Sequence, residues 1–352
     1  MRIITLRNYA EPQLLRTQEQ SCNCSLFNLN SKTFLISRCV TYFLCDTHGF
    51  VMNDKFHTTN FLYEVDANFN LHKIKELNNP YKSQQNVKYN GLEDIRTVNW
   101  DGDIHFLCSK VIGNSDAATM CYGKFSADTL DLGDLNEVKT QNAREKNWAP
   151  IEIEPFSCMY SHDPLTTINL HTHEKQMIGN GVSRIRGSSS IVRFDDNTLI
   201  SLVHTKDASY KYAHQLIKYN NQLQVIAVSQ PFTFLGAKTE FCCTLKAMPS
   251  GVLLIPSVND GISYVFNLST ELVDKLFSHQ LDNDWVDPNL YNKLFLDAIA
   301  NTAYEVAVTS ACLSTDKTQI VASVKYNHEH SPIDLMNRYH RQTALINRFN
   351  SL

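Results

Sequence analysis

The sequence predicts an all-β protein, and a five-bladed β-propeller with a C-terminal helical extension fits it best. Polar turns rich in Gly, Asn and Asp recur just before runs of β-branched or aromatic residues, a pattern typical of hairpin-linked strands. Between Thr33 and Phe266 almost no amphipathic helix of useful length occurs. Because a doubly wound α/β sheet needs helices between its strands, that class is disfavoured. An array of β-sandwiches is the alternative.

Five copies of the turn-and-strand unit support the propeller. The turns are Asn30-Ser31-Lys32, Asp101-Gly102-Asp103, Asp195-Asp196-Asn197, Pro249-Ser250-Gly251 and Thr315-Asp316-Lys317, and strands are predicted at 33–36, 104–108, 198–203, 252–255 and 319–322. Further strands are predicted at 61–65, 119–122 and 212–217. The copies begin about 55 to 95 residues apart, which corresponds to one or two four-stranded blades.

The C-terminal quarter has a different pattern. Helical spacing occurs at 271–277 and at 290–295, where Asp287-Pro288 supplies a cap and a first-turn proline. Ser331-Pro332 opens a last helix. We therefore expect a propeller over residues 1–268, with closing strands available from 302–325, and a mainly helical extension over 269–352. The helices would cover the propeller or form a homo-oligomer interface.

Charge and composition narrow the partners. The 352 residues include 32 basic and 36 acidic side chains, for a net charge of −4, so no nucleic acid or anionic membrane partner is expected. No apolar run approaches the roughly 20 residues of a membrane span, and the first residues are too short an apolar run for a signal peptide. The prediction is a cytoplasmic protein.

Ten cysteines are spread through the chain. Without a secretory signal, they are expected to be reduced, buried thiols. A zinc site from Cys22, Cys24, Cys39 and Cys45 is the alternative, although their spacing matches no usual pattern.

Four segments hold more polar groups than turns require: 91–96 (Gly-Leu-Glu-Asp-Ile-Arg), 144–150 (Arg-Glu-Lys-Asn-Trp-Ala-Pro), 184–190 (Arg-Ile-Arg-Gly-Ser-Ser-Ser) and 238–242 (Lys-Thr-Glu-Phe-Cys). Loops at a propeller mouth can bring such groups into one pocket. Adjacent carboxylates beside an arginine suit proton transfer, guanidiniums suit phosphate or sugar oxygens, and Trp148 offers an apolar face for a sugar ring. Taken singly, each segment also fits an ordinary charged turn or strand start.

In this order the segments resemble the five-bladed propellers of glycoside hydrolase family 130, the β-mannoside phosphorylases, and the related glycosyltransferase family 108, which transfers β-1,2-mannose. That group typically has Gly-x-Glu-Asp-Pro-Arg, a Lys-Asn segment, a Gly-rich turn and a strand ending in His. Asn23-Cys24-Ser25 and Arg38 are similar to its opening motif and first-blade arginine, and the segment ending at Asp260 to its closing-blade motif. The resemblance covers roughly 20–268. Ile95 and Cys24 stand where proline is common, and the Gly-rich turn is Ser-rich here.

The resemblance implies roles for individual residues. Asp94 would be the catalytic acid or base, with its proton passing through a sugar hydroxyl. Glu93 and Arg96 would orient Asp94 and bind sugar hydroxyls. The predicted substrate-binding set also includes Arg38, Lys146, Asn147, Arg186 and His204 around a phosphate, together with Trp148, Glu240 and Asp260.

The predicted function is an enzyme that forms or phosphorolyses β-mannosidic linkages, β-1,2 among them. Its substrate would be an oligosaccharide or sugar phosphate. No metal and no cofactor are expected, and inorganic phosphate or a mannose nucleotide would be the co-substrate. A non-catalytic glycan-binding propeller and a β-mannoside hydrolase are the alternatives.

Three patterns could suggest a metal instead. Asp101-Gly102-Asp103 is interpreted as a hairpin turn and Asp282-Asn283-Asp284 as the approach to a capped helix. His162, His171, His173 and Glu174 match no helical metal motif, so a polar loop is favoured there.

Overall fold

A computed structural model describes residues 3–17, 21–45, 49–51, 55–84, 86–207, 211–281, 312–313 and 320–321. The regular secondary structure of the described residues is β-strand apart from a 3-10 turn at Leu6–Asn8 and an α-helix at Thr270–Phe277. The predicted all-β class is therefore confirmed.

The strands form five blades in chain order, antiparallel except that Ile4–Thr5 joins blade 4 in parallel. A short parallel pairing of Phe56 and His57 with Tyr89 and Asn90 links blades 1 and 2 into one nine-stranded sheet. Blade 1 contains Cys22–Leu29, Lys32–Val40, Phe56–Val65 and Leu71–Glu76. Blade 2 contains Tyr89–Trp100, Asp103–Gly113, Thr119–Ser126, Asp131–Leu132 and Asn136–Glu137. Blade 3 contains Ala149–Pro150, Ser157–His162, Leu165–Asn169 and Lys175–Gly179. Blade 4 contains Arg186–Gly187, Val192–Arg193, Thr198–Lys206, Tyr212–Asn220, Val225–Val228, Phe232–Thr233 and Ile4–Thr5. Blade 5 contains Glu240–Met248, Gly251–Val258, Ile262–Ser269 and Gln13–Leu14. Two short hairpins remain, Phe43–Cys45 with Gly49–Val51 and Cys312–Leu313 with Ile320–Val321.

The blades are arranged in a closed ring. The first strand of each blade lies near the axis and contacts the neighbouring blades, and blade 5 returns to contact blade 1. Apolar side chains fill the spaces between consecutive blades, as with Phe106 of blade 2 against Phe34 of blade 1. Because each sheet buries both faces against its neighbours, its strands carry long apolar runs. This is a five-bladed propeller.

The ring is closed by the N-terminal segment. Gln13 and Leu14 pair with Val265 and Tyr264, so they form the outer strand of blade 5. Of the stretch 302–325, where closing strands were expected, only Cys312–Leu313 and Ile320–Val321 are described, and they pair with each other.

The helix predicted at 271–277 is present as Thr270–Phe277. The Ser269 side chain accepts a hydrogen bond from the Leu272 N–H and caps it, and Leu272, Val273 and Leu276 are buried beside blade 5. The helices predicted at 290–295 and after Ser331 lie outside the described residues. No helix in the described part of the chain is long and apolar enough to cross a membrane.

The predicted turns at 30–32, 101–103, 195–197 and 249–251 join predicted strands, and the turn predicted at 315–317 lies outside the described residues. Asn30 and Ser31 have φ values of 49° and 62°, and Asp101 and Gly102 have 54° and 86°, as tight primed hairpin turns require. Eight cysteine side chains are described, and the seven buried ones are free thiols.

Candidate active site

A β-bulge in blade 2 contains Asp94, whose side chain bonds Asn23 and Arg38 of blade 1. In the pairing of Tyr89–Trp100 with Asp103–Gly113, Arg96 lies opposite Leu107 and Glu93 opposite Ser109, so Asp94 and Ile95 together face one residue. Asp94 has φ of 55°, an unusual value for a residue other than glycine. Bulges redirect side chains near functional sites. Ile95 fills the core between blades 1 and 2, which accounts for an apolar residue where the family has proline.

Arg38, from the second strand of blade 1, lies between the two predicted carboxylates. Its Nη1 is 2.9 Å from Asp94 Oδ1 and its Nη2 is 2.9 Å from Glu93 Oε1. It also donates to Thr58 Oγ1 and to the Tyr42 hydroxyl. Because every nitrogen of its guanidinium has a protein partner, Arg38 orients the carboxylates rather than offering a free fork to a phosphate.

Lys146 and Asn23 complete the set of groups around the two carboxylates. The ammonium of Lys146 pairs with Glu93 Oε2. The Asn23 amide donates to Asp94 Oδ1 at 2.6 Å, and its carbonyl oxygen accepts from Ser257 Oγ at 2.6 Å. Within the described residues, Asp94 Oδ2 accepts no hydrogen bond. One oxygen of Asp94 is therefore anchored and the other is available.

The charges around Asp94 keep it ionised. Burial alone would raise its pKa, but Arg38, Lys146 and Arg96 outweigh that effect and hold the pKa below its ordinary value. The same balance lowers the pKa of Glu93, where Arg38 and Lys146 oppose burial. In the ligand-free protein Asp94 is a carboxylate, ready to accept a proton.

Arg96 stabilises the bulge through hydrogen bonds to backbone carbonyls. It is completely buried, and it donates from Nη1 to the Asp94 carbonyl at 2.9 Å and from Nε to the Ser188 carbonyl at 2.6 Å. Its Nη2 is sealed from solvent without a hydrogen-bond partner. Arg96 therefore contacts the Asp94 backbone, and being completely buried it presents no surface to a sugar.

His204 and Arg186 lie side by side on blade 4, where they are paired across adjacent strands. Ser188 Oγ lies 2.8 Å from His204 Nδ1. Burial and the neighbouring His214, Arg186 and Arg96 hold the pKa of His204 well below its ordinary value, so the imidazole is neutral. The Arg186 side chain is exposed and makes no ion pair with a described residue.

Asp260 joins the site from blade 5. It accepts a 2.8 Å hydrogen bond from the Tyr42 hydroxyl, which in turn accepts from Arg38. Burial raises the pKa of Asp260, although Arg38 opposes the effect. Asp260 is thus connected to Asp94 through Tyr42 and Arg38.

Two predicted residues lie apart from this network. Trp148 is 1% exposed and packs between blades 2 and 3, with its indole N–H on Glu145, so it offers no face to a sugar. The Glu240 carboxylate accepts the backbone N–H groups of Phe234, Leu235 and Ala237, so it holds that loop.

Asn147 directly follows Lys146 and has φ of 66°. A Cβ on Gly187 would meet the Asn147 carbonyl oxygen at 2.4 Å, so Asn147 lies against the first strand of blade 4. It therefore sits between Lys146 and the strand of Arg186.

The side chains considered as metal ligands do not lie together. His162 is buried in blade 3, whereas His171 is exposed and bonds the Tyr122 hydroxyl. Within the described ranges, no three His, Cys, Asp or Glu side chains form a metal-binding group. Asp282-Asn283-Asp284 lies outside these ranges.

Sequence reasoning missed three residues of the network: Asn23, Tyr42 and Ser188. Asn23 begins the segment that is similar to the family's opening motif, and Ser188 lies in the Ser-rich turn, so a sequence signal existed for both residues. Tyr42 had none, because it meets Asp260 only when the ring is closed.

Fold and site together define a five-bladed propeller in which Glu93, Asp94 and Asp260 are linked through Arg38 and Tyr42. No protein-family profile and no curated protein matches the sequence. Among solved structures, the β-1,2-mannobiose phosphorylase of Listeria innocua, in complex with β-1,2-mannobiose, has a TM-score of 0.52 at 12% identity and covers 73% of this chain and 92% of its own.

Two further structures show how widely this fold is shared. A structure described under the glycoside hydrolase family 130 of mannoside phosphorylases, which contains hydrolases targeting β-1,2 mannosidic linkages in Candida mannan, has a TM-score of 0.52 at 10% identity, covering 79% of this chain and 88% of its own. A family 43 glycoside hydrolase from Xanthomonas citri, in complex with xylotriose, has a TM-score of 0.50 at 6% identity, covering 74% and 90%. The predicted resemblance to the family 130 propeller is confirmed for the fold.

Proposed function

We propose that this protein is a carbohydrate-active enzyme that transfers a mannosyl group to or from a β-mannoside, with Asp94 as the acid or base. The observation that carries the proposal is the network around Asp94. Asn23 and Arg38 of blade 1 bond one oxygen of the Asp94 carboxylate, and its second oxygen accepts no hydrogen bond from a described residue. Lys146 is connected to it through Glu93 and Arg38, and Asp260 of blade 5 through Tyr42 and Arg38. Such a convergence is more than a solvated ion pair requires.

The ionised state of Asp94 supports the direction of proton transfer. A carboxylate can take a proton from an acceptor hydroxyl as that oxygen attacks the sugar, and it returns the proton when the reaction runs backwards. Arg38 and Asn23 hold Oδ1, so the proton would move through Oδ2. Both β-mannosidic synthesis and phosphorolysis use these same two steps.

The co-substrate must meet cations that are not already paired. Arg186 is the best candidate for a phosphate or donor-phosphate oxygen, because it is exposed and adjoins His204. Lys146 could take part by exchanging Glu93 for the ligand. Cations at these positions favour phosphate or a mannose nucleotide as co-substrate.

A β-mannoside hydrolase is the second candidate, and one observation favours it. Arg38 and Lys146, two of the predicted phosphate-binding cations, are bonded to Glu93 and Asp94. A pocket neutralised in this way suits water better than a phosphate dianion.

Product analysis separates these reactions. The protein would be incubated with β-mannooligosaccharides in buffer alone, with inorganic phosphate, and with a mannose nucleotide plus an acceptor. Mannose 1-phosphate formed only with phosphate indicates a phosphorylase, elongation from the nucleotide a transferase, and free mannose in buffer alone a hydrolase. No turnover in any arm, across several β-mannosides and acceptors, would exclude the proposal.

A further inference from the structure

Ser188, in the Ser-rich turn, bonds both His204 and Arg96. The Ser188 hydroxyl lies 2.8 Å from His204 Nδ1, and its carbonyl accepts from Arg96 Nε at 2.6 Å. Arg96 in turn donates to the carbonyl of Asp94. Ser188 is completely buried, so neither contact is shared with bulk water.

We propose that Ser188 is a positioning residue that keeps the proton of His204 on Nε2, so that His204 presents a neutral N–H donor to an oxygen of the bound ligand. The inference rests on the proposed function only for the ligand; the tautomer itself is a property of the free protein.

The hydrogen-bond inventory of Ser188 decides the tautomer. Within the described residues, its hydroxyl has one partner, His204 Nδ1. If Nδ1 carried the proton, the hydroxyl would accept it and its own O–H would be buried without an acceptor, at a cost of about 1–3 kcal/mol. If the hydroxyl donates instead, Nδ1 is the acceptor and a neutral ring has its proton on Nε2.

The surroundings keep the ring neutral and fixed in orientation. Burial lowers the pKa of His204 most, and His214, Arg186 and Arg96 lower it further against the opposing charge of Asp94. Tyr212 and Phe241 pack on the ring with centroid distances of 5.4 Å and 5.1 Å. His204 Nε2 makes no hydrogen bond with a described residue. Both ring nitrogens of His214 are sealed from solvent, whereas His204 Nε2 is accessible.

This tautomer gives Asp94 and His204 different roles. A neutral Nε2–H can donate to a sugar or phosphate oxygen but cannot take a proton from one. Proton transfer is then left to Asp94, and His204 contributes binding and orientation.

The tautomer can be read without any substrate. Long-range ¹H–¹⁵N spectra of histidine-labelled protein at neutral pH would be recorded for the unmodified chain, and the His204 signals assigned by their loss in His204→Gln. We expect His204 protonated on Nε2 alone. A proton on Nδ1, or a doubly protonated ring, would overturn the proposal.

Variants of the turn test the role of the hydroxyl. Ser188→Ala should give a mixture of tautomers, and Ser188→Thr, which keeps the hydroxyl, should restore Nε2–H. Ser189→Ala is the matched control, because among the described residues the Ser189 hydroxyl bonds the Leu202 N–H and the Ser190 carbonyl and does not bond His204. Identical His204 spectra in Ser188→Ala and the unmodified chain would refute the proposal. If Ser188→Ala does not fold, the unmodified chain and Ser188→Thr still decide the tautomer.

Kinetics add a second readout once a substrate is in hand. Losing one hydrogen bond of about 1–1.5 kcal/mol should raise KM in Ser188→Ala by roughly 5- to 12-fold, with a smaller change in kcat. A fall in kcat of that same size, with KM unchanged, would contradict a binding role for His204. Absence of turnover in the unmodified protein would count against the proposed function while leaving the spectral result in force.

Discussion

Replacing Asp94 with asparagine separates catalysis from binding. In Asp94→Asn, the new side chain can present its carbonyl oxygen to Arg38 and Asn23, where Asp94 Oδ1 now accepts both bonds, and place its amide where Oδ2 has no described partner. The substitution is therefore nearly isosteric, and Arg38 keeps Glu93 as its counter-ion. Only the capacity to exchange a proton is lost.

The expected loss follows from what the carboxylate does. General acid–base catalysis contributes roughly 10²- to 10⁴-fold, which is about 2.7–5.4 kcal/mol in activation free energy. We expect kcat of Asp94→Asn to fall by that factor. Sugar affinity should stay within about threefold, or roughly 0.7 kcal/mol, because the contacts of Oδ1 are kept.

The assay pairs turnover with equilibrium binding. Product formation from β-mannooligosaccharides gives kcat, and calorimetry with the same sugars gives Kd. Asp103→Asn is the matched control, since Asp103 is an exposed carboxylate paired with Lys124 in the same blade, and it should retain full turnover. An Asp94→Asn protein that is folded and as active as the unmodified one would refute the assignment and favour a glycan-binding propeller.

Three further predictions concern stability and pH. Arg38→Met leaves two buried carboxylates without their shared cation, and urea denaturation should show a loss of about 3–5 kcal/mol; a loss below about 1 kcal/mol would contradict the network. Gly187→Ala places a Cβ 2.4 Å from the Asn147 carbonyl oxygen, so we expect a loss of about 1–3 kcal/mol in the same measurement, and an unchanged midpoint would mean that the strand moves freely. Burial raises the pKa of Glu240 to about 7, although four backbone N–H groups, those of Phe234, Leu235, Gly236 and Ala237, lower it. Because the folded protein then binds a proton more tightly than the unfolded chain, this contribution to stability is present below about pH 4.5 and is lost as pH rises towards 7. The difference in unfolding free energy between the unmodified protein and Glu240→Gln should therefore change between pH 5 and 8, and a constant difference would show that Glu240 does not titrate there.

Local sequence was sufficient for the strands and their turns. Asn30-Ser31 and Asp101-Gly102 form the hairpin turns that their composition predicts, because Asn, Asp and Gly tolerate positive φ values. The helix at Thr270–Phe277 was equally visible, because its capping serine and apolar spacing are local. These features depend on residues that are neighbours in the chain.

Features that depend on ring closure were harder to predict. Gln13–Leu14 pairs with a strand some 250 residues later, and nothing in that dipeptide indicates the partner. Tyr42 bonds Asp260 across the same closure. Both contacts are set by the number and twist of blades, which no local pattern encodes.

The candidate site was predicted in part. Glu93, Asp94, Arg38 and Lys146 are brought together as the motif order indicated. Trp148 was placed in the pocket because an aromatic side chain beside polar residues resembles a sugar platform, but the space between blades 2 and 3 takes its ring. Sequence patterns give the residue types of a site, whereas packing decides which faces stay open.

A crystal structure of Asp94→Asn with β-1,2-mannobiose would show directly whether Asp94 faces the bound sugar. We expect a mannosyl unit at the mouth of the ring, within hydrogen-bonding distance of the substituted side chain and with an oxygen facing His204 Nε2. Disaccharide bound only on the outer surface of the blades, or an empty mouth at saturating sugar, would contradict it.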